Sequence, residues 1–235
     1  WADRKHHRLE RAVVATADVN VAVGWTMAAE LDAIGSHRTE VITNGADPAD
    51  LPVPPEPVDE AYSLVHVGSM TATRDVPQVW KALAAIGAQD PAFREKLRIR
   101  FVGPVDGGVL ASIADAGLQD KVERLGSVGH ERAMREMQRA RVLLLSVNDT
   151  PNAKGVITSK VFEYLAVGRP VLAVGPPDGD VARVLGGHLL LDRRAASVDL
   201  AAIRALFEAP ALTGGAHGAH TRPEGARRMA GLLAG

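Results

Sequence analysis

The chain has 235 residues, 27 Lys and Arg against 28 Asp and Glu, and no cysteine. This length supports a full hydrophobic core, while the even charge balance without a basic stripe argues against a nucleic-acid partner. The absence of thiols excludes disulfides, thiolate catalysis and Cys-ligated zinc, and no apolar run nears the roughly 18 residues that cross a bilayer, so a cytoplasmic protein is expected.

Residues 1–43 read as helix (RLERAVVATA), strand (VNVAVG), helix (TMAAELDAIG) and strand (TEVIT), about one and a half βα units. The first residue is Trp1 and a helical pattern is already under way, which reads as a chain cut inside a longer protein. In NGADPADLPVPPEPVDE five prolines lie among acidic residues and mark an extended linker. From Ser63 onward strands and helices alternate strictly: SLVHVG with VPQVWKALAAIG, LRIRFVG with GGVLASIADAG, and VERLG with HERAMREMQRA. The series continues with RVLLLSV and SKVFEYLAVG, VLAVG and DVARVLGG, and HLLLD and VDLAAIRALFEA.

Such alternation demands crossover connections and a parallel sheet covered on both faces, so the fold class is α/β, a doubly wound parallel sheet with a partial second α/β piece in front. The implied division is 1–45 for the front piece, 46–60 for the linker, 61–220 for the Rossmann-like domain and 221–235 for a closing helix. Ligands of such sheets bind at the carboxyl ends of the strands. Here those ends lead into Ser69–Asp75, Pro104–Gly108, Ser127–His130, Val147–Ser159 and Gly175–Asp180.

The stretch AKGVITSKVFEYLAVGRPVLA carries the densest chemical signal. Its helix places Val161, Phe162, Leu165 and Ala166 on one apolar stripe, with Lys160 and Glu163 sharing the other face at a spacing of three. Gly168 and Pro170 end it by ordinary C-cap chemistry. A helix start exposes unpaired N–H groups and partial positive charge, so phosphate at the Thr158 and Ser159 amides, reached by Lys160, with a sugar hydroxyl on Glu163, accounts for these residues together. The same spacing equally fits a solvated ion pair.

VITNGADPADLP, HVGSMTATRD and above all GVITSKVFEYLAVGRPVLA resemble the carboxyl-terminal half of a family 4 retaining glycosyltransferase of GT-B fold, over nearly the whole chain. The resemblance implies that the Rossmann-like domain binds a nucleotide-diphosphate sugar donor without a metal or other cofactor. Residues 1–43 then belong to the acceptor-binding domain, and the last helix returns toward it. Arg74 matches a diphosphate-holding cation in the turn that begins at Gly68 and Ser69, and Glu163 matches the glutamate that grips the ribose hydroxyls. Many members carry two cations in that turn; this chain has one, so Lys160 is assigned the second role by inference from the helix start. Val128 is a candidate nucleobase contact. A glutamate that holds donor-sugar hydroxyls in broader members is replaced by Gly155, so donor identity does not transfer. The acceptor, whether glycan, lipid or small molecule, stays open, as does peripheral attachment to the inner face of a membrane. A GT-B sugar-nucleotide epimerase and a non-catalytic nucleotide-binding module are the alternatives.

Other signals point to ordinary structure. His6, His7, His217 and His220 lack a carboxylate frame for a metal, His66 reads as a packed strand histidine and His130 as a helix cap. Asp178 and Asp180 form a carboxylate pair by spacing, but Asp180 reads as the N-cap of DVARVL. GPVDGG matches neither a dinucleotide fingerprint nor a P-loop.

Overall fold

The computed structural model describes residues 2–209 and 220–234. The front piece comprises α1 (Ala2–Thr16), β1 (Asn20–Ala22), α2 (Trp25–Ala33) and β2 (Thr39–Val41). β1 and β2 pair in parallel, Val21 opposite Glu40. The main unit follows as β3 (Tyr62–Val67), α3 (Pro77–Gln89), α4 (Pro91–Lys96), β4 (Leu97–Val102), α5 (Gly107–Asp115), β5 (Val122–Arg124) and α6 (His130–Arg139). It continues with β6 (Val142–Ser146), α7 (Lys160–Val167), β7 (Val171–Gly175), α8 (Asp180–Leu185), β8 (Leu189–Asp192) and α9 (Leu200–Leu206), before α10 (Arg222–Ala234) closes the chain.

All strands of the main sheet are parallel, in the order β5-β4-β3-β6-β7-β8. The chain winds outward from β3 to β5, then returns to the other side of β3, so the topological switch lies between β3 and β6. VLLLS and VLAVG are buried at every position, as strands must be when helices cover both faces. Trp80, Phe93, Phe101 and Phe207 fill the core on one face, under α3, α4, α5 and α9. Val65, Leu143, Phe162 and Tyr164 belong to the core on the other, under α6, α7 and α8. The alternation read from the sequence is present throughout; α4 is the addition. Asp90 starts it by accepting the Phe93 N–H at 3.0 Å, Pro91 supplies the preset first turn, and Phe93 is thereby driven into the core.

The Pro-rich segment is tied to α6. Gln138 accepts the Glu56 N–H at 3.1 Å and donates to the Pro52 carbonyl at 3.2 Å. At its end Asp59, 9 % exposed, receives Arg100 at 2.8 Å and Arg139 at 3.2 Å, and Arg100 also meets Glu123 and Glu136. On the other side Thr221 bridges to Ala46, and Arg228 Nη2 donates to the Val41 carbonyl at 2.8 Å, so α10 lies against the front piece. Arg100→Met leaves Asp59 and Glu136 without their shared cation at low exposure; a stability loss of about 3–5 kcal/mol is expected in urea denaturation, and a change below 1 kcal/mol would contradict this role.

Candidate functional site

β3 and β6 pair through Leu64–Val142 and Val65–Leu143, and then part. Tyr164 of α7, fully buried, enters the gap: its phenol oxygen accepts the Val67 N–H at 2.9 Å and its proton points to the Leu144 carbonyl at 3.4 Å. Burial pushes the phenol well above the usual tyrosine pKa, so it stays protonated and available as a donor. One side chain thus replaces the ladder bonds lost where the strands diverge, and pins α7 to the carboxyl end of β3.

The stripe read from the sequence placed Val161, Phe162 and Leu165 correctly in the core, with Ala166 half-buried, but it passed over Tyr164. The phenol is accommodated there because two backbone groups at the switch need partners.

Immediately beyond β3, Gly68 has φ +116°, a conformation that side chains disfavour, and its N–H donates to the Val102 carbonyl at 2.9 Å. The turn that follows brings Arg74 back across the strand ends. Its Nη1 donates to the Ser69 carbonyl at 2.8 Å and its Nε to Asn148 Oδ1 at 2.5 Å, while Ser146 Oγ donates to the Arg74 carbonyl at 2.7 Å. Among the described residues only neutral oxygens accept from this guanidinium, which positions its positive charge without an ion pair.

From the opposite side the start of α7 presents the second group. The Lys160 N–H donates to Thr158 Oγ1 at 3.3 Å, and the Thr158 and Ser159 amides donate to nothing among the described residues. Lys160 Nζ and Glu163 Oε2 are 2.5 Å apart, at 29 % and 20 % side-chain exposure. His66, on β3, is near enough to both groups to feel their charge. Its Nδ1 donates to the Leu144 carbonyl at 3.0 Å, and Nε2 has no hydrogen-bond partner among the described residues. Burial, then the charges of Arg74 and Lys160, lower its pKa against the opposing pull of the Leu144 and Ser69 carbonyls. Arg74 and Lys160 therefore act on one buried ring, and the charges of Glu163 and Arg74 both reach Tyr164.

Gly68, Ser69, Arg74, Thr158, Ser159, Lys160 and Glu163 thus converge on the switch point. Val128 lies in the loop after β5, half-buried against the core under α6 and α7. At Gly155 the position of an added Cβ is 3.2 Å from Thr26 Cγ2, so this glycine admits the close approach of α2. Beside the convergence, a cavity of about 840 Å³ opens at the ends of β6, β7 and β8, lined in part by Asn148, Lys154, Asp178 and Arg193. Arg193 is held there by the Asp75 carbonyl, Ser146 Oγ and the Val147 carbonyl.

Two capping assignments change. Asp180 does not cap its own helix, whose N-cap is Gly179; its carboxylate accepts the Thr26 N–H at 2.9 Å and the Thr26 hydroxyl at 3.1 Å. Asp178 pairs instead with Lys154 at 2.5 Å, whose hydrogen bond lowers its pKa, so the two carboxylates serve separate partners. His130 follows the N-cap Gly129 and meets Asp50 at 3.3 Å. His7 lies on exposed α1, 3.6 Å from Asp3 and from Glu10; His220 is tilted against Phe162 with ring centroids 5.6 Å apart and meets Thr43 Oγ1 at 2.9 Å; His217 lies outside the described residues. No group of three metal-ligating side chains occurs among the described residues, and no described helix is long and apolar enough to cross a membrane.

No protein-family model and no curated protein matches the chain. Among solved structures, a glycosyltransferase from Rickettsia africae aligns with TM-score 0.69 and 15 % identity, over 97 % of this chain and 66 % of its own. Anabaena HepE, solved in complex with UDP and glucose, aligns with TM-score 0.67 and 14 % identity, over 98 % of this chain and 67 % of its own. Sucrose-phosphate synthase from Thermosynechococcus elongatus aligns with TM-score 0.65 and 19 % identity, over 98 % of this chain and 61 % of its own. At such identities the likeness shows the fold, a Rossmann-like domain of GT-B type with a second small parallel sheet, and the chain spans about two thirds of these neighbours' length.

Tyr164→Phe leaves the Val67 N–H without an acceptor in a buried gap, an expected loss of about 1–3 kcal/mol by urea denaturation; full retention of stability would show that the bond is dispensable. Burial lowers the pKa of His66, His188 and His220 from 6.5. The folded chain then binds fewer protons than the unfolded chain at mildly acidic pH, so stability is full above pH 6.5 and falls as the pH drops below it. His66→Gln should flatten that fall in denaturation series at pH 7.5 and 5.5 (about one unit either side of the free histidine pKa); an unchanged slope would remove His66 from the account.

Proposed function

We propose that this chain is the donor-binding part of a retaining glycosyltransferase of family 4 type, one that moves a sugar from a nucleotide-diphosphate donor to an acceptor. The observation that carries the reading is the convergence of a guanidinium held by neutral oxygens, two free amides at a helix start and a Lys–Glu pair at one switch point. In this reading the diphosphate lies between Arg74 and the Thr158 and Ser159 amides, with Lys160 as the second cation, and Glu163 accepts a ribose hydroxyl. Gly68 and Ser69 line the diphosphate side, the loop that carries Val128 lies toward the base, and the backbone at Gly155 lies toward the sugar.

The free pair Lys160–Glu163 does not obstruct this arrangement. A helix-surface ion pair at this spacing contributes about 0.3–0.5 kcal/mol, whereas a hydrogen bond to a charged group contributes about 1.5–3 kcal/mol. Exchange of the internal contact for ligand contacts is favourable on both sides of the pair.

Negative charge grows on the diphosphate as the glycosyl bond breaks. A fixed guanidinium, an ammonium and a helix start stabilise that charge more than the ground state, which is how such a site lowers the barrier without a protein nucleophile. The departing phosphate oxygen takes the acceptor proton on the same face, which gives retention, and the scheme requires no metal.

Calorimetry with a panel of nucleoside diphosphates tests the reading. One member of the panel should bind; Glu163→Ala should raise its Kd about tenfold to a hundredfold while leaving the affinity for inorganic pyrophosphate unchanged, and Arg74→Ala should weaken both. No binding at millimolar nucleotide would overturn it.

A further inference from the structure

α2 begins without a cap of its own. Its N-cap is Gly24, extended at φ −158° and ψ 163°, and glycine has no side chain to accept the free N–H groups of the first turn. Asp180, 154 positions after Thr26, supplies that acceptor: Oδ2 takes the Thr26 N–H and Oδ1 the Thr26 hydroxyl. The carboxylate is 3 % exposed and has no Lys, Arg or His within ion-pair distance among the described residues. The partial positive charge of the α2 start is the charge it faces.

Two glycines make room for this contact. A Cβ on Gly24 would lie 2.5 Å from Asp180 Oδ2, and a Cβ on Gly155 would lie 3.2 Å from Thr26 Cγ2. Next to them the Arg183 guanidinium stands over the Trp25 ring at 5.2 Å. The turn Ala153–Gly155 is therefore packed between α2 on one side and α8 on the other. Three residues after that turn come Thr158 and Ser159.

We propose that Asp180 is a positioning residue: by capping α2 across the chain it seats the front piece on segment 153–157 and so sets the approach of the Thr158 and Ser159 amides to their ligand. The proposal rests on the nucleoside-diphosphate reading of those amides. By linkage the effect is reciprocal, so a ligand that orders segment 153–159 also protects the start of α2.

Substitutions separate a cap from a coupling. Asp180→Ala removes both the cap and the link between the pieces. In the double variant Asp180→Ala with Gly24→Ser, the new hydroxyl caps α2 locally; with the carboxylate gone, the next atom facing that Cβ is Ile157 Cδ1 at 3.4 Å. Melting temperature, UDP affinity by calorimetry and amide hydrogen exchange are measured on the full chain. Asp180→Ala is expected to lower the melting temperature, to raise the Kd for UDP about tenfold, the scale of a typical coupling between sites, and to speed exchange at Thr26 and across 153–157. The double variant is expected to regain the melting temperature and the protection of Thr26, but not the UDP affinity or the protection of 153–157. Return of affinity together with stability would overturn the proposal, because Asp180 would then be a cap and nothing more; so would an unchanged Kd in Asp180→Ala. If wild type binds neither UDP nor any other nucleoside diphosphate of the panel, the nucleotide reading fails, whereas exchange across 153–157 still decides whether Asp180 seats that segment.

Discussion

The geometry of the candidate site depends on a phenol between two strands. Parallel strands that fan apart at a switch point leave N–H and C=O groups facing one another at too great a distance, in a place where water is largely excluded. Tyr164 answers both groups with one oxygen: it accepts from Val67 and lies within reach of the Leu144 carbonyl, which His66 also meets. Because Tyr164 sits one turn into α7, satisfaction of the sheet also fixes the height and rotation of that helix. Lys160 and Glu163, paired and part-exposed on the same turn, are held in place with it. A site on a helix held this way is more precisely placed than one on a loop.

Charge management follows the same logic. Arg74 and Arg193 both donate to carbonyl, amide or hydroxyl oxygens near the ends of β3 and β6, and burial lowers the pKa of Arg193 against the opposing charges of Asp149 and Asp75. At the other end of the sheet Arg100 is surrounded by Asp59, Glu123 and Glu136, and its charge is spent on structure. The carboxyl ends of β6, β7 and β8 carry Asp149, Asp178 and Asp192 as well as Lys154 and Arg193, so charge there is mixed, in a chain that is nearly neutral at −1.

The sequence made the fold readable because parallel strands buried on both faces leave uninterrupted apolar runs, and VLLLS and VLAVG are such runs. The turn at Gly68, the C-cap at Gly168 and the Lys160–Glu163 face were also readable, since each is a local matter of backbone or helical spacing. What the sequence concealed were bonds between distant segments. A tyrosine on an apolar helix looks like core until the strands that part beneath it are known. Asp180 next to Gly179 looks like the cap of its own helix, and only the folded chain shows that Gly24, 156 positions before it, lacks a cap and receives this one. Asp90 and Pro91 spell a helix start, yet the six-residue helix they open is too short for periodicity to reveal.

In the proposed function, the switch point held by Tyr164 aims α7 and Arg74 at a nucleoside diphosphate. Amide chemical shifts, followed while the labelled chain is titrated with the nucleoside diphosphate that binds it best in the panel, test this. The account expects the largest shifts at Thr158, Ser159 and Gly68, with smaller ones at Val67, and their collapse toward zero in Arg74→Ala. Shifts confined to the cavity lined by Asp178 and Arg193, with Thr158 and Ser159 unmoved, would contradict it.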